Sequence, residues 1–235
     1  MQAEKTGIRI HLAETRGLEA WSSRPVYGQD RIAMVVSVVM PTYNRAGALR
    51  VSLSSYILPE VGEMIVVDDC STDDTQAVVN EVWRPSGKRL VYLRNEQHLG
   101  SPASRNKGIM RASNRYILMG EDDVMLTEGY LRGLLAAMEE TGAAVAAGQC
   151  ISTEVIPKEE SLASAVKALD RDRGRRGIPF EVVVPEEPMA ETPDLTAIAL
   201  FEKEVFENEL YDESFTGSAY KEETDLYYRI YARGK

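Results

Sequence analysis

Val35-Val36-Ser37-Val38-Val39-Met40-Pro41-Thr42-Tyr43-Asn44-Arg45 is the stretch from which the fold is read. Its first six residues are almost continuously apolar and rich in β-branched Val, and Pro41 stops the run. A strand with one wet face alternates apolar and polar residues, whereas a strand covered on both faces reads as a short apolar block. The run therefore predicts a central strand. It delivers Thr42, Tyr43, Asn44 and Arg45 to its carboxyl end.

Outward from this strand the chain alternates. Ala46 to Leu58 reads as a helix, with Leu49, Leu53 and Ile57 at i, i+4 and i+8. A second buried strand, Met64 to Val67, ends in Asp68-Asp69, and Ser71 to Asp74 offers capping chemistry for a helix from Thr75 to Val82. Strand Leu90 to Leu93 precedes a helix from Pro102 to Ala112, with proline in the first turn where it is tolerated. Strand Tyr116 to Met119 runs into Glu121-Asp122-Asp123, and a helix from Glu128 to Thr141 leads to an apolar strand, Ala143 to Ala147. Such alternation predicts an α/β fold, a single Rossmann-like, mainly parallel sheet flanked by helices. Sheets of this kind bind ligands beyond the carboxyl ends of their strands. Three polar clusters, at 41–44, 68–69 and 121–123, fall at such ends.

With 235 residues and 44% hydrophobic composition the chain suits one α/β domain, or one with an added arm. Residues 1–33 are an extension of unassigned role, with a short alternating stretch from Ile8 to Leu12. Residues 34–150 form the regular half, and 151–235 a smaller, less regular region with an apolar segment at Leu195 to Leu200 and helical patterns at Glu202 to Leu210 and Glu222 to Tyr231. A net charge of −10 argues against a broad nucleic-acid footprint. Cys70 and Cys150 are too few for a disulfide framework and too far apart for a zinc motif. No run approaches the roughly 18–20 apolar residues of a membrane span. The first 21 residues lack a signal-peptide core. The expected location is cytoplasmic, with peripheral membrane attachment and oligomerisation left open.

Four segments could carry chemistry. Glu121, Asp122 and Asp123 repel one another and would be relieved by a hard divalent ion, Mn²⁺ or Mg²⁺, which leaves coordination sites for diphosphate oxygens; the plain alternative is an acidic turn. Asp68-Asp69 could accept hydrogen bonds from a ribose or base, with Ser71, Thr72 or Asp73 capping the next helix. Gly100 to Gly108 is small and basic and opens a helix, which suits an anion through Arg105 or Lys107. Glu222, Glu223 and Asp225 could include a general base, although an acidic first turn complementing the helix dipole is the favoured reading on spacing alone. The basic run of Arg171, Arg173, Arg175 and Arg176 is read as a solvated loop in preference to a lid.

Taken together, Val36 to Arg45, Ile65 to Asp74, Leu99 to Gly108, Tyr116 to Val124 and Tyr220 to Arg229 resemble, in the same order, the family 2 glycosyltransferases, which have the GT-A fold. The resemblance implies a nucleotide-sugar donor, UDP-linked by default, held along the strand ends. It places Pro41, Thr42, Tyr43 and Arg45 with Asp69 around the nucleoside, and Arg105 and Asp122 near base and phosphates. It gives the metal to Asp123 and Asp122 with Glu121 as helper. It places the catalytic base at Glu223, with Glu222 beside it and Asp225 as rival. The implied reaction is an inverting single displacement onto the hydroxyl of a sugar, lipid-linked, protein or small-molecule acceptor.

Three departures stand out. Gly120 occupies the first acidic position of the Asp-x-Asp-Asp pattern, the base position holds Glu rather than Asp, and the chain stops soon after the last helix, as in a truncated or compact form. A catalytically inactive nucleotide-sugar-binding or interaction domain is the first alternative, and a sugar nucleotidyltransferase the second. The latter fits less well because Pro41 to Arg45 is not a Gly-rich phosphate loop.

Overall fold

The computed structural model describes residues 9–11, 35–126, 129–148, 189–191, 195, 198–217, 219 and 221–234. In chain order the elements are β1 Arg9–His11, β2 Val36–Thr42, α1 Ala46–Ser52, β3 Val61–Asp68, α2 Thr75–Trp83, β4 Arg89–Arg94, α3 Ser101–Ile109, β5 Tyr116–Met119, α4 Tyr130–Thr141, β6 Val145–Ala147, β7 Met189–Glu191, β8 Ala199–Glu202 and α5 Glu222–Ala232. Short 3₁₀ turns cover Leu53–Tyr56 and Lys203–Glu207.

The strands make one sheet in the order β4-β3-β2-β5-β8-β6-β1-β7. Strands β1 to β6 point one way, so the sheet is mainly parallel as expected. Strand β8 runs against β5 and β6 between them, and β7 runs against β1. The end of the apolar segment, Ala199-Leu200, thus opens an antiparallel insertion, and part of the alternating stretch at 8–12 becomes β1. The wider N-terminal extension, Cys150 and the basic run at 171–176 lie outside the described residues.

Successive side chains of β2 serve opposite faces. Val36, Val38 and Met40 pack under α1, α2 and α4 with Leu49, Val78, Trp83 and Leu134, while Val39 packs under α3 and α5 with Ile109, Leu226 and Ile230. All three β2 residues of the first face are fully buried, each contributing about 1.5–3 kcal/mol relative to exposure. Ser37, which interrupts the run, is also fully buried, and its hydroxyl donates to Glu63 Oε1 at 2.6 Å. Burial pushes the Glu63 carboxyl up, but the bonds from Ser37 and Ser113 and the nearby Arg89 outweigh it and hold the group below its usual range.

Two sequence expectations shift. Pro41 does not end β2; the strand continues to Thr42 along β3, with Pro41 opposite Val67 and Thr42 opposite Asp68. The amide of Gly120 donates to Val39 O and that of Asp69 to Thr42 O. Residues 39 and 41 therefore turn their backbone groups toward β5, whose ladder with β2 has ended at Met119. The missing N–H of proline costs no ladder bond there. The helix expected over 46–58 is α-helical only to Ser52, because Leu53 and Tyr56 tighten into a 3₁₀ turn that buries both side chains. Helix α3 lies close on the sheet: a Cβ at Gly108 would sit 2.4 Å from Val39 Cγ1.

Candidate active site

The ends of β2, β3 and β5 and the start of α3 enclose the site. Asp68, at the end of β3, is fully buried. It accepts bonds from the Ser71 amide, the Tyr92 hydroxyl and Arg94 Nη1. Burial raises its pKa, yet those partners win and hold it below the usual carboxylate value. It braces the turn. Asp73 stands one residue before the N-cap of α2, Asp74, and accepts from the Thr75 amide and hydroxyl and from the Ala46 amide, so it serves the first amides of both α2 and α1 without being the cap itself.

Asp69, 3% exposed, turns toward the start of α3. Its Oδ1 accepts from Asn95 Nδ2 at 2.7 Å and the Leu99 amide at 2.8 Å, and its Oδ2 accepts from the Gly100 amide at 2.8 Å. His98 Nδ1 stands 2.8 Å from the same Oδ2. The His98 ring lies against Tyr43, with centroids 4.3 Å apart and planes tilted by 32°. Of the nucleoside residues expected from the sequence, Tyr43 is exposed, Pro41 is half-buried, and Thr42 is buried. Thr42 supports a carboxylate: its hydroxyl donates to Asp122 Oδ2 at 2.8 Å.

The acidic triplet splays. Glu121 reaches Arg105, Asp122 reaches Thr42, and Asp123 is half-exposed with Arg45 Nη1 at 3.7 Å. Arg45 Nε is also 4.0 Å from Asp122 Oδ1, so this guanidinium stands beside both aspartates. Burial pushes the Asp122 carboxyl up, Thr42 and Arg45 oppose it, and Asp123 and Glu121 add to it, with the result near pH 6. A buried carboxyl held this high beside two others is the donor chemistry a cation would relieve. Asp122 and Asp123 fit a divalent ion that draws the rest of its shell from diphosphate and water. They do not build an all-protein cage: among the described residues no three His, Cys, Asp or Glu side chains are grouped to hold an ion. Glu121, expected as a helper ligand, is committed to Arg105 instead.

Gly120 explains the first departure from the acidic pattern. A Cβ there would meet Val38 Cγ1 at 3.1 Å, Met40 Cε at 3.2 Å and Tyr56 Cε1 at 3.3 Å. The position faces packed side chains, so an aspartate would have to displace them.

Arg105 is the centre of the second half of the site. Its side chain is 2% exposed. Nη2 pairs with Glu121 and lies 3.4 Å from Glu223 Oε1, and Nε lies 3.0 Å from Glu222 Oε1 and from the Ser101 hydroxyl oxygen. The guanidinium carbon stands 5.3 Å from the centre of the Tyr211 ring. Burial would lower the pKa of Arg105, but Glu121, Tyr211, Glu222 and Glu223 overcome it, and the group stays charged. Arg105 was expected as an open phosphate clamp; the structure instead gives it to carboxylates. The three acidic residues of α5 separate accordingly. Glu222 is buried, which raises its pKa against the pull of Arg105 and Ser101. Asp225 is bound by Arg229 Nε at 2.9 Å. Glu223, its side chain 23% exposed, keeps access to solvent. Arg105 Nη1, Glu222 Oε2 and Tyr211 Oη are all buried without a hydrogen-bond partner, a concentration that buried polar groups rarely show.

These contacts close into a ring. The Asp69 amide bonds Thr42 O, Thr42 holds Asp122, the neighbouring Glu121 holds Arg105, Arg105 meets Ser101, and the adjacent Gly100 amide returns to Asp69. Sequence reasoning named most residues of the site but missed His98, and it reached Ser101 and Tyr211 only as parts of longer stretches, with no role of their own. Ser101 was legible in principle, since it stands four residues before Arg105 and so shares its helix face. Among the described residues no helix is long and apolar enough to cross a membrane.

Comparison with known proteins finds relatives in sequence and in fold. The GalNAc(5)-diNAcBac-PP-undecaprenol beta-1,3-glucosyltransferase of Campylobacter jejuni is 28% identical over 200 residues, covering 83% of this chain and 59% of its own. The UDP-Glc:alpha-D-GlcNAc-diphosphoundecaprenol beta-1,3-glucosyltransferase WfgD of Escherichia coli is 34% identical over 95 residues, 39% of this chain and 36% of its own. The chain thus spans about half the length, or less, of these relatives. In fold it matches S. aureus TarS 1–349 in complex with UDP, with a TM-score of 0.63, 21% identity and coverage of 84% of this chain and 55% of that one. It also matches the mannosyltransferase PcManGT from Pyrobaculum calidifontis in complex with GDP-Man and Mn²⁺, with a TM-score of 0.58, 17% identity and coverage of 89% and 57%. The fold is the GT-A fold expected from the resemblance. The model of Glycosyl transferase family 2 matches residues 37–208, and the chain belongs to that family.

Proposed function

We propose that the site transfers a sugar from a nucleoside diphosphate sugar, UDP-linked by default, to an acceptor hydroxyl with inversion at the anomeric carbon. Tyr43 and Asp69 face the nucleoside. Asp122 and Asp123 would hold a divalent ion, Mn²⁺ or Mg²⁺, which would supply positive charge to stabilise the leaving diphosphate. Glu223 accepts the proton of the acceptor hydroxyl as its oxygen bonds to the anomeric carbon, and the bond from that carbon to the diphosphate oxygen breaks. Arg105 holds Glu222 and Glu223 in place and tethers the 121–123 loop to them.

The single observation that supports this most is the Arg105 hub, which joins Glu121 of the acidic loop to Glu222 and Glu223 more than 100 residues later. Among the acidic residues of α5, Glu223 combines proximity to that hub with solvent access. The relatives named for undecaprenol-linked acceptors favour a lipid-linked acceptor, for which the enzyme would work at a membrane surface. The test is calorimetric titration of UDP with Mn²⁺ into the wild type and Asp123→Ala, followed by UDP-sugar hydrolysis with and without Mn²⁺. Metal-dependent binding that Asp123→Ala abolishes, together with hydrolysis, is expected. Unchanged affinity in the variant would remove the metal assignment, and binding without any turnover would favour an inactive binding domain.

A further inference from the structure

We infer that His98 occupies the nucleobase subsite of the free protein and must leave it when a donor binds, so that its imidazole sets donor affinity. This rests on reading the site as one for a nucleoside diphosphate sugar, and it adds a residue that neither sequence motif nor family likeness pointed to.

The argument begins with Asp69. A carboxylate offers about four lone-pair directions, and here four groups approach it: Asn95 Nδ2, the amides of Leu99 and Gly100, and His98 Nδ1. Three of them are fixed. Asn95 is 2% exposed and also donates to the Ser104 hydroxyl, and the two amides belong to the backbone leading into α3. The fourth is a side chain that is 56% exposed. A base that donates an N–H to Asp69 has to replace one of these partners, and His98 is the one that can move without dismantling α3.

The same side chain covers the second contact. A base stacking on Tyr43 needs its ring face, and the His98 ring lies 4.3 Å from it. One flat, nitrogen-bearing ring thus takes both the stacking face and the acceptor position that a nucleobase requires. A histidine that merely satisfied Asp69 would have no need of Tyr43, and one that merely covered Tyr43 would have no need of Asp69. Displacement forfeits both contacts, so the imidazole competes directly with the base.

The chain contains two histidines, His11 and His98, so the His98 ring is readily assigned by NMR. Two measurements test the inference. In the first, UDP and GDP are each titrated with Mn²⁺ into wild type and His98→Ala. The variant is expected to bind about fivefold tighter, the equivalent of one net hydrogen bond no longer broken on binding. In the second, the NOE between the His98 and Tyr43 rings of the wild type is followed as UDP is added, and it is expected to vanish at saturation. Equal or weaker binding by His98→Ala, or an NOE that survives saturation, overturns the inference while leaving the donor reading intact. If neither nucleotide binds the wild type, the donor reading itself fails and the inference falls with it.

Discussion

Replacing Asp122 by Asn removes a charge that the free protein holds against its own environment. The Asp122 carboxyl titrates near pH 6 because it is buried beside Asp123 and Glu121, compared with 3.8 for an unburied aspartate. A difference of about two pH units, at about 1.4 kcal/mol each, is about 3 kcal/mol of native-state penalty once the group is ionised. The sign follows from proton binding. Between about pH 4 and pH 6 the folded chain binds more protons than the unfolded chain, so stability falls as pH rises through that window, and the penalty is complete above it. Asparagine keeps an oxygen to accept the Thr42 hydroxyl and never ionises. In metal-free buffer at pH 7.5, Asp122→Asn is expected to be about 2–3 kcal/mol more stable, or about 4–10 °C higher in Tm. At pH 4 the two proteins should melt together. Thermal melts followed by circular dichroism in EDTA at both pH values decide it. A gap that is absent at pH 7.5, or equal at both pH values, would refute the reasoning that Asp122 is held ionised at a cost. Adding Mn²⁺ and UDP should then stabilise the wild type and leave the variant unmoved.

Glu223→Gln should spare UDP affinity and lower turnover by about a hundredfold or more, whereas Asp225→Asn, whose carboxylate faces Arg229, should leave turnover within about twofold; the reverse order in a transfer assay would move the base. Arg105→Met should lower stability by about 3–5 kcal/mol in denaturant melts, because it leaves Glu222 buried without its partner. Gly120→Asp, which restores the usual acidic pattern, should lower Tm and fail to strengthen Mn²⁺ binding, since its side chain would meet Val38, Met40 and Tyr56.

The fold was largely legible because strands buried on both faces cannot hide. Val36 to Met40 and Met64 to Val67 have no polar alternation, and each ends in the residues that face the site. Strand β8 was harder, since the apolar character of Leu195 to Leu200 carries no information about direction or neighbours. The site divided in the same way. Strand ends placed Asp69 and Asp122 at one edge of the sheet, and the family resemblance added Glu223, but spacing alone does not tell which way a long side chain turns. Arg105 and Glu121 both looked ligand-facing, and they face each other. Thr42 looked like a ligand contact and proved to support Asp122, a relation across 80 residues that no local pattern encodes. His98, a single histidine in a loop, gave no periodic or motif signal at all.

The opening turn of α3 has a consequence for how charge is managed. A helix start normally offers free amides to an anion, but here the Leu99 and Gly100 amides already serve Asp69. The basic groups behind them are engaged too, Arg105 by carboxylates and Lys107 by Arg94 O and Asn95 Oδ1. A doubly charged ligand arriving at this wall finds these two amides and both basic side chains already engaged. Among the described basic groups beside the acidic loop, Arg45 is left to neutralise it; under the proposed metal dependence the remaining charge would be carried in with the ligand, and occupancy would follow the surrounding concentration of divalent ions.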